Sequence, residues 1–525
     1  MSGGTLLSRA TGLIRVSVTL AALGVTGLSD VYNTANTTPN IVYELVLGGI
    51  LTSVFVPVFV GWAKTHGSVE AREAGSRFLT IVVVVLGALA LAGALLAPSI
   101  MRVYLAGVHD PARREQEIRT GAFFLRWFMP QIVCYGVAAV ASGILTANRR
   151  FAAQMYAPVL NNVAVICTML AFIAMRGGAR PAIEGLTIAQ RTLLGAGTTL
   201  GVAAMTVALW PSLRAIGFRW RLRFDWRHET VRSLLRLASW VFLYVVVNQL
   251  AYVVIINLNQ RIGAGGYTAY SQAFIFFSLP HAIIAVSIVT ALLPGMAERW
   301  SEGKPEGVRD LFSRGMRDTL VILLPAAAGY ALLAGPIVAL LAAYGAVGVA
   351  DRTLLANTLA GFAVGLPFFS MFQLLTRTFY AARDARTPAI VNMGAAMVNI
   401  GADLVLGFGF HLGVPGLALG HALSYAAGSA MLLVLLRRKL GGIDGGRLAS
   451  TVARTTPAAA LAALAALGVT VAVAHLADVA HPAVRLLQVL GGVGAGVLAF
   501  AGFAVIFRVR EIDEIRRALM TRFGR

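Results

Sequence analysis

Charge is what this chain has least of. Only 13% of its 525 residues are Asp, Glu, Lys or Arg, while 58% are hydrophobic and the mean hydropathy is +0.76. Soluble chains carry about 25% charged residues, so the shortage excludes both a soluble globular protein and a disordered one. Acid is scarcer than base: 23 Asp and Glu stand against 44 Lys and Arg, a formal net charge of +21. In a soluble chain that excess would suggest nucleic acid. In a chain this apolar it belongs to cytoplasmic loops, which collect Arg and Lys, and no nucleic-acid partner is expected. Cysteine is nearly missing. Cys134 and Cys167 both lie in apolar stretches and fit neither a disulfide framework nor a metal spacing. Also lacking are HExxH, GxSxG and the Walker-type GxxxxGK[ST]. No enzyme is expected, and any transport must draw on an ion gradient, the membrane potential or the substrate's own gradient.

What is abundant is long apolar runs. About 20 such residues span a bilayer. The runs predict fourteen spans, over 6–28, 40–63, 78–103, 121–147, 153–175, 189–213, 231–259, 268–293, 316–342, 353–381, 387–410, 413–436, 451–475 and 483–507. Pro325 and Pro336 threaten the ninth. The first run is interrupted by Arg9 and Arg15, so it reads as a retained helix rather than a cleavable signal. With both termini cytoplasmic, and residues at span ends counted with the connections beside them, 31 of the 44 basic residues fall on the cytoplasmic side, 10 on the outer side, and Arg9, Arg15 and Arg126 remain inside spans. That bias supports the orientation.

Proline marks an internal repeat. "SVFVPVF" at Pro57 resembles "TALLPGM" at Pro294, 237 residues on; Pro98 pairs with Pro336 at 238, Pro130 with Pro367 at 237 and Pro158 with Pro388 at 230. So steady an offset indicates a duplicated unit of six spans. Six is even, so the copies keep one orientation and form a parallel repeat. The expected fold is all-α and membrane-embedded. It has an N-lobe over 1–224, a C-lobe over 225–440, and a C-terminal helix pair with a basic tail over 441–525. Transporters built from two such halves hold the substrate between them and alternate access.

Ionisable groups inside hydrocarbon are functional candidates. Arg9 and Arg15 are six residues apart, about 120° in direction around a helix, and could flank one cavity. Arginine stays charged and matches phosphate oxygens with two donors. The stretch from Asp30 to Asn40 is too polar to face lipid, which suggests a broken or re-entrant connection sheltered by protein or water. Glu44 follows and is placed to pair with one of the arginines. In the eleventh span Asn399 and Asp403 are four apart on one face. With Asn248 from the seventh they form a candidate monovalent cation site; a plain interhelical hydrogen bond is the equal alternative.

Four stretches carry a family resemblance. "LLSRATGLIR", "GLSDVYNTANTTPNIVYELVLGGILTSVFVPVF", "GILTANRRFAAQMYAPVLNN" and "LTRTFYAARDARTPAIVNMGAAMVNI" resemble the MurJ/MviN lipid II flippase family of the multidrug/oligosaccharidyl-lipid/polysaccharide exporter superfamily. The resemblance spans essentially the whole chain. It implies movement of lipid II, the undecaprenyl-diphosphate-linked peptidoglycan precursor, from the inner to the outer leaflet of a bacterial cytoplasmic membrane. It also implies a role in cell-wall synthesis and cell shape, with membrane lipids and cell-wall synthesis or division proteins as partners of a monomer. Ser8, Arg9, Gly12, Arg15, Asp30 and Asn40, with Glu44, are then the candidates for a cationic central cavity, and Na+, H+ or the membrane potential the candidate drive. The chain also departs from the family. Where many members follow the Pro-Asn motif with paired arginines and an acid, it has Tyr43, Glu44 and Gly48; where many carry an Asp-Arg…Glu cluster in span 8, it has Phe274, Ile275 and Ser278. Three alternatives stay open at this point: a cation-coupled drug or metabolite antiporter, a flippase for another polyprenyl-linked polysaccharide, and a non-transporting cell-wall scaffold.

Overall fold

The computed structural model describes residues 2–43, 56–148, 150–178, 180–221, 249–509 and 511. Among these the chain is almost wholly helical, with no strand. The helices are α1 (Ser2–Leu23), α2 (Gly27–Tyr43), α3 (Val56–Leu95), α4 (Ala97–Tyr104), α5 (Pro111–Phe128), α6 (Gln131–Ala147), α7 (Ala152–Arg176), α8 (Ile188–Val207), α9 (Trp210–Ala215) and α10 (249–262). There follow α11 (Gly266–Pro280), α12 (Val286–Ser301), α13 (Pro305–Leu332), α14 (Ala334–Ala342), α15 (Val349–Ala381), α16 (Arg386–Asp403), α17 (Gly413–Lys439), α18 (Gly445–Leu476) and α19 (Pro482–Ile506). Two π-helical segments, His281–Ala285 and Leu404–Gly409, join α11 to α12 and extend α16.

Ten of these stretches are long and apolar enough to cross a membrane, and α13 with α14 makes an eleventh, bent by 71°. They match eleven of the fourteen expected spans. The first expected span is helical as α1 but carries Arg9 and Arg15. Half of the second and most of the seventh fall outside the described residues. Pro325 lies inside α13 without ending it; the bend comes at Leu333, before Pro336. The repeat is visible in that bend. Leu96 (φ −85°, ψ 6°) and Leu333 (φ −96°, ψ 9°) break the two equivalent helices alike, and each break leads into a short helix, of 8 and 9 residues.

Helix ends are satisfied locally. The Asp110 carboxylate accepts from the N–H groups of Ala112 and Arg113 at the start of α5, and Thr187 with Gln190 forms a capping box on α8.

The chain divides into two compact units: Met1–Thr268 with Tyr344–Val347, and Ala269–Ala343 with Gly348–Arg525. The first is centred on Phe124, Phe128, Leu86 and Phe172, with the Tyr32 ring set edge-on against Phe124 and Phe128. In the second, Met296, Phe312, Phe379 and Leu432 form one buried cluster. There α15, α16 and α17 approach closely through glycine. Gly361 and Gly365 of α15 meet Pro415, Ala418 and Ala422 of α17, while Gly416 and Gly420 of α17 meet Leu406 and Asp403. Both pairs have the small-xxx-small spacing that lets membrane helices touch backbone to backbone.

Candidate functional site

The polar stripe of α1 has two parts. Its first turns lie on α7: the Asn162 Nδ2 group donates to the Ser8 carbonyl at 3.1 Å and to Thr11 Oγ1 at 3.0 Å. A Cβ on Gly12 would lie 3.6 Å from that same nitrogen. Ser8 and Gly12 therefore lie on a helix contact, through the backbone rather than the hydroxyl. Arg9 is half-buried. Two turns on, Arg15 is half-buried as well, and its charge acts on the phenol groups of Tyr32 in α2 and Tyr135 in α6. Among the described residues no carboxylate forms an ion pair with Arg15.

Each phenol belongs to a directed chain of hydrogen bonds. The Thr198 hydroxyl spends its proton on the Leu194 carbonyl at 2.7 Å, so Tyr32 is the donor in the 2.7 Å bond between their oxygens. The Asn40 side chain bonds to Tyr135. Tyr135 donates to Gln131 Oε1 over a long 3.5 Å, Gln131 Nε2 donates to Thr199 Oγ1 at 3.1 Å, and Thr199 donates to the Trp127 carbonyl at 2.7 Å. Asn40, at the exposed end of this chain, and the charge of Arg15 thus both act on Tyr135. Tyr32, Tyr135 and Gln131 are the residues that sequence reasoning missed. An aromatic or an amide in an apolar run carries no signal until its partners are known.

Asp30 does not join this group. It is fully buried in the first turn of α2, and its two carboxylate oxygens accept from the N–H groups of Gly265 and Thr268, both at 2.7 Å. Asn33 Nδ2 donates to Thr268 Oγ1 at 3.1 Å, and Thr37 bonds the Tyr267 hydroxyl at 3.2 Å. Asp30, Asn33 and Thr37 recur at helical spacing, so one edge of α2 is devoted to the chain entering α11. The polar stretch 30–40, expected to be broken or re-entrant, is instead continuous helix. Asp30, Asn33 and Thr37 find protein partners, while Thr34 Oγ1 and Asn36 Oδ1 are buried without one among the described residues, and the break falls just before the stretch, at residues 24–26. Glu44 lies outside the described residues.

In the second unit Asn399 and Asp403 are both buried, and Asn399 Nδ2 donates to Asp403 Oδ2 at 3.2 Å. That leaves Asn399 Oδ1 and Asp403 Oδ1 buried with no hydrogen-bond partner among the described residues. Gly420 lets α17 approach so closely that a Cβ there would collide with Asp403 Oδ1. The third expected ligand, Asn248, lies outside the described residues.

Comparison with known proteins places this geometry. The family model described as "Lipid II flippase MurJ" matches residues 20–486. The "Probable lipid II flippase MurJ" of Rhizobium meliloti is 28% identical over 529 residues, covering 99% of this chain and 95% of that protein. Among solved structures, "Lipid II flippase MurJ, inward closed conformation" superposes with a TM-score of 0.75 at 20% identity, covering 97% of this chain and 98% of that one. An inward-facing multidrug resistance MATE family transporter of the MOP superfamily follows, with a TM-score of 0.67 at 14% identity over 82% of this chain and 94% of its own. At these identities the two structures establish a shared fold.

Proposed function

The chain belongs to the lipid II flippase MurJ family, and from that premise we propose that it carries lipid II from the inner to the outer leaflet of the bacterial cytoplasmic membrane by alternating access. It is a multi-pass transporter rather than an enzyme. The observation that carries the reading is Arg15: a half-buried cation on a membrane helix, among phenols and amides, with no carboxylate partner among the described residues. A fixed charge in that setting suits a diphosphate, because guanidinium and phosphate oxygens bond in pairs. It opposes a cationic drug, since like charges repel strongly at low dielectric, and the antiporter and scaffold alternatives are not favoured.

Three finer statements belong to the same proposal. Both termini are cytoplasmic, a placement that the distribution of basic residues supports. The protein works as a monomer and meets the enzymes of cell-wall synthesis and division in the membrane. Its drive is Na+, H+ or the membrane potential. Asn399 Oδ1 and Asp403 Oδ1, buried without hydrogen-bond partners among the described residues, are hard oxygen donors of the type a small cation takes. A cation bound there would supply positive charge to the Asp403 carboxylate.

The test is a leaflet-resolved assay of lipid II in cells whose only flippase is this chain. Outer-leaflet lipid II should fall on depletion. Arg15→Ala should fail to restore growth, and Arg15→Lys should restore it in part. Undiminished outer-leaflet lipid II after depletion would overturn the assignment.

A further inference from the structure

Past α8 the chain turns onto the side of α3. The short helix α9 gives way at Gly217, whose φ of 74° lets the Phe218 N–H reach back to the Leu213 carbonyl at 3.0 Å, while the Gly217 N–H donates to the Arg214 carbonyl at 2.9 Å. This is a Schellman ending, in which a left-handed residue turns the chain off the helix. Residues 218–221 then run without helix and are pinned twice to α3. The Arg221 N–H donates to Ser76 Oγ, and Ser76 Oγ donates to the Arg221 carbonyl, both at 2.8 Å. Trp220 Nε1 donates to Thr80 Oγ1 at 3.1 Å. Phe218 is buried in the core of the first unit, and Trp220 packs against that core, edge-on to Trp210 at a centroid distance of 6.3 Å.

This register decides where the charge goes. Phe218 is buried, Arg219 exposed, Trp220 half-buried and Arg221 exposed, the alternation of an extended chain. Arg219 and Arg221 therefore share the outer side, about 7 Å apart, and Arg214, at the end of α9, is exposed as well. Glu73, one turn before Ser76 on α3, is paired with Arg77 at 3.8 Å. The sequence carries the alternation on through Leu222, Arg223 and Phe224. Membrane orientation asks only that basic residues stand near the ends of spans. It asks for no serine that grips an arginine's backbone from both sides. Tryptophan beside the row sets it at head-group level, where indole rings collect, and arginine meets phosphate oxygens with two parallel donors.

We propose that Arg219 and Arg221, with Arg214, form a docking surface for the head groups of anionic phospholipids, held in register on α3 by Ser76 and Thr80. Phosphatidylglycerol brings a negative charge that nothing in its own head group cancels. Phosphatidylcholine carries its own cation and gains little there. The site is separate from the one proposed for lipid II. Its assignment to the inner leaflet rests on the cytoplasmic placement of this connection proposed above.

The experiment puts the full chain in mixed micelles and measures quenching of tryptophan fluorescence by phosphatidylglycerol or phosphatidylcholine with brominated acyl chains. The difference between wild type and Trp220→Phe isolates the Trp220 signal, and thermal unfolding is measured on every variant. Phosphatidylglycerol should quench Trp220 at a much lower content than phosphatidylcholine. Arg219→Gln/Arg221→Gln should cut that selectivity by roughly thirtyfold, about fivefold for each arginine near a head-group charge. Ser76→Ala keeps every charge but releases the Arg221 backbone, and should lose part of the selectivity. Should it fail to fold, Thr80→Val, which releases only the Trp220 N–H, takes its place. Equal quenching by the two lipids in the wild type, or undiminished selectivity in the double variant, overturns the proposal. Full selectivity in the folded Ser76→Ala variant overturns the built register and leaves loose charge. Lipid II that displaces the brominated phosphatidylglycerol at a lower content than plain phosphatidylglycerol does would reassign the row to the substrate and overturn the proposal too. An impermeant maleimide that labels Ala215→Cys in intact cells would overturn the inner-leaflet assignment, and the cytoplasmic placement with it, while the selectivity in micelles would stand.

Discussion

Both oxygens of Asp30 are occupied by backbone N–H groups, so removing the carboxylate strands two buried donors at the entry to α11. A buried donor left without an acceptor costs about 1–3 kcal/mol. Asp30→Ala should therefore lower unfolding stability in detergent by about 3 kcal/mol. Asp30→Asn, which keeps one acceptor oxygen, should fall between the variant and the wild type. The loss should appear in thermal melts whether or not lipid II is present, which separates Asp30 from Arg15. A second carboxylate lies outside the spans. Asp384, between α15 and α16, is partly buried, which alone would raise its pKa. The Lys439 ammonium at 2.7 Å and the N–H and hydroxyl of Thr387 outweigh this and hold the carboxyl below its ordinary value. A carboxyl lowered on folding contributes stability that is complete above the ordinary carboxylate pKa, about 3.9. That contribution is lost as pH falls through the lowered, folded value. Asp384→Asn should cost about 1 kcal/mol at neutral pH and should flatten the acid side of the stability curve measured between pH 6 and pH 3.

At the scale of helices, the glycine contacts of α15 and α17 set how closely the second unit packs. A Cβ on Gly365 would stand 2.8 Å from the Ala422 Cα, against backbone that cannot rotate away. Gly365→Ala should destabilise by about 1–3 kcal/mol, as overpacking does. Gly401→Ala on α16, where nothing lies within 4 Å, should be neutral or gain up to about 1 kcal/mol from better helix propensity. Unfolding of both variants in one detergent checks the contrast. Gly361-x-x-x-Gly365 and Gly416-x-x-x-Gly420 stand plainly in the sequence, yet the spacing says only that a helix has a flat face, not which neighbour takes it. The two π-helical segments were not legible at all, because they lie in runs that are apolar on nearly every face, where the phase shift of one extra residue in a turn leaves no mark. Arg15 and Asn40 stood out in the sequence because charge and amides are rare in such runs. Asp30 was legible as important but not as a buried anchor, because its partners, Gly265 and Thr268, lie 235 and 238 residues away.

At the scale of the whole chain, hydropathy carries most of the fold. Eleven of the expected spans stand as apolar helices or, for α13 and α14, a bent pair. Of the other three, the first is helical over α1, and the second, 40–63, lies partly outside the described residues. The third is the stretch 231–259, of which only α10 is described. Its crossing can be tested through sidedness. Ala182 lies in the connection before α8 and Glu302 follows α12; Gly446 begins α18 and Ala480 precedes α19, and all four are exposed. Three crossings between Ala182 and Glu302 put them on opposite faces; two put them on the same face. Cysteines placed singly at these four positions, in a chain with Cys134 and Cys167 replaced, should divide two and two. An impermeant maleimide added to intact cells should label Ala182→Cys and Ala480→Cys, and should reach Glu302→Cys and Gly446→Cys only after the membrane is opened. Labelling of Glu302→Cys from outside would remove the seventh span. The two lobes would then be inverted rather than parallel, and the excess of arginine on the cytoplasmic side would lose its explanation.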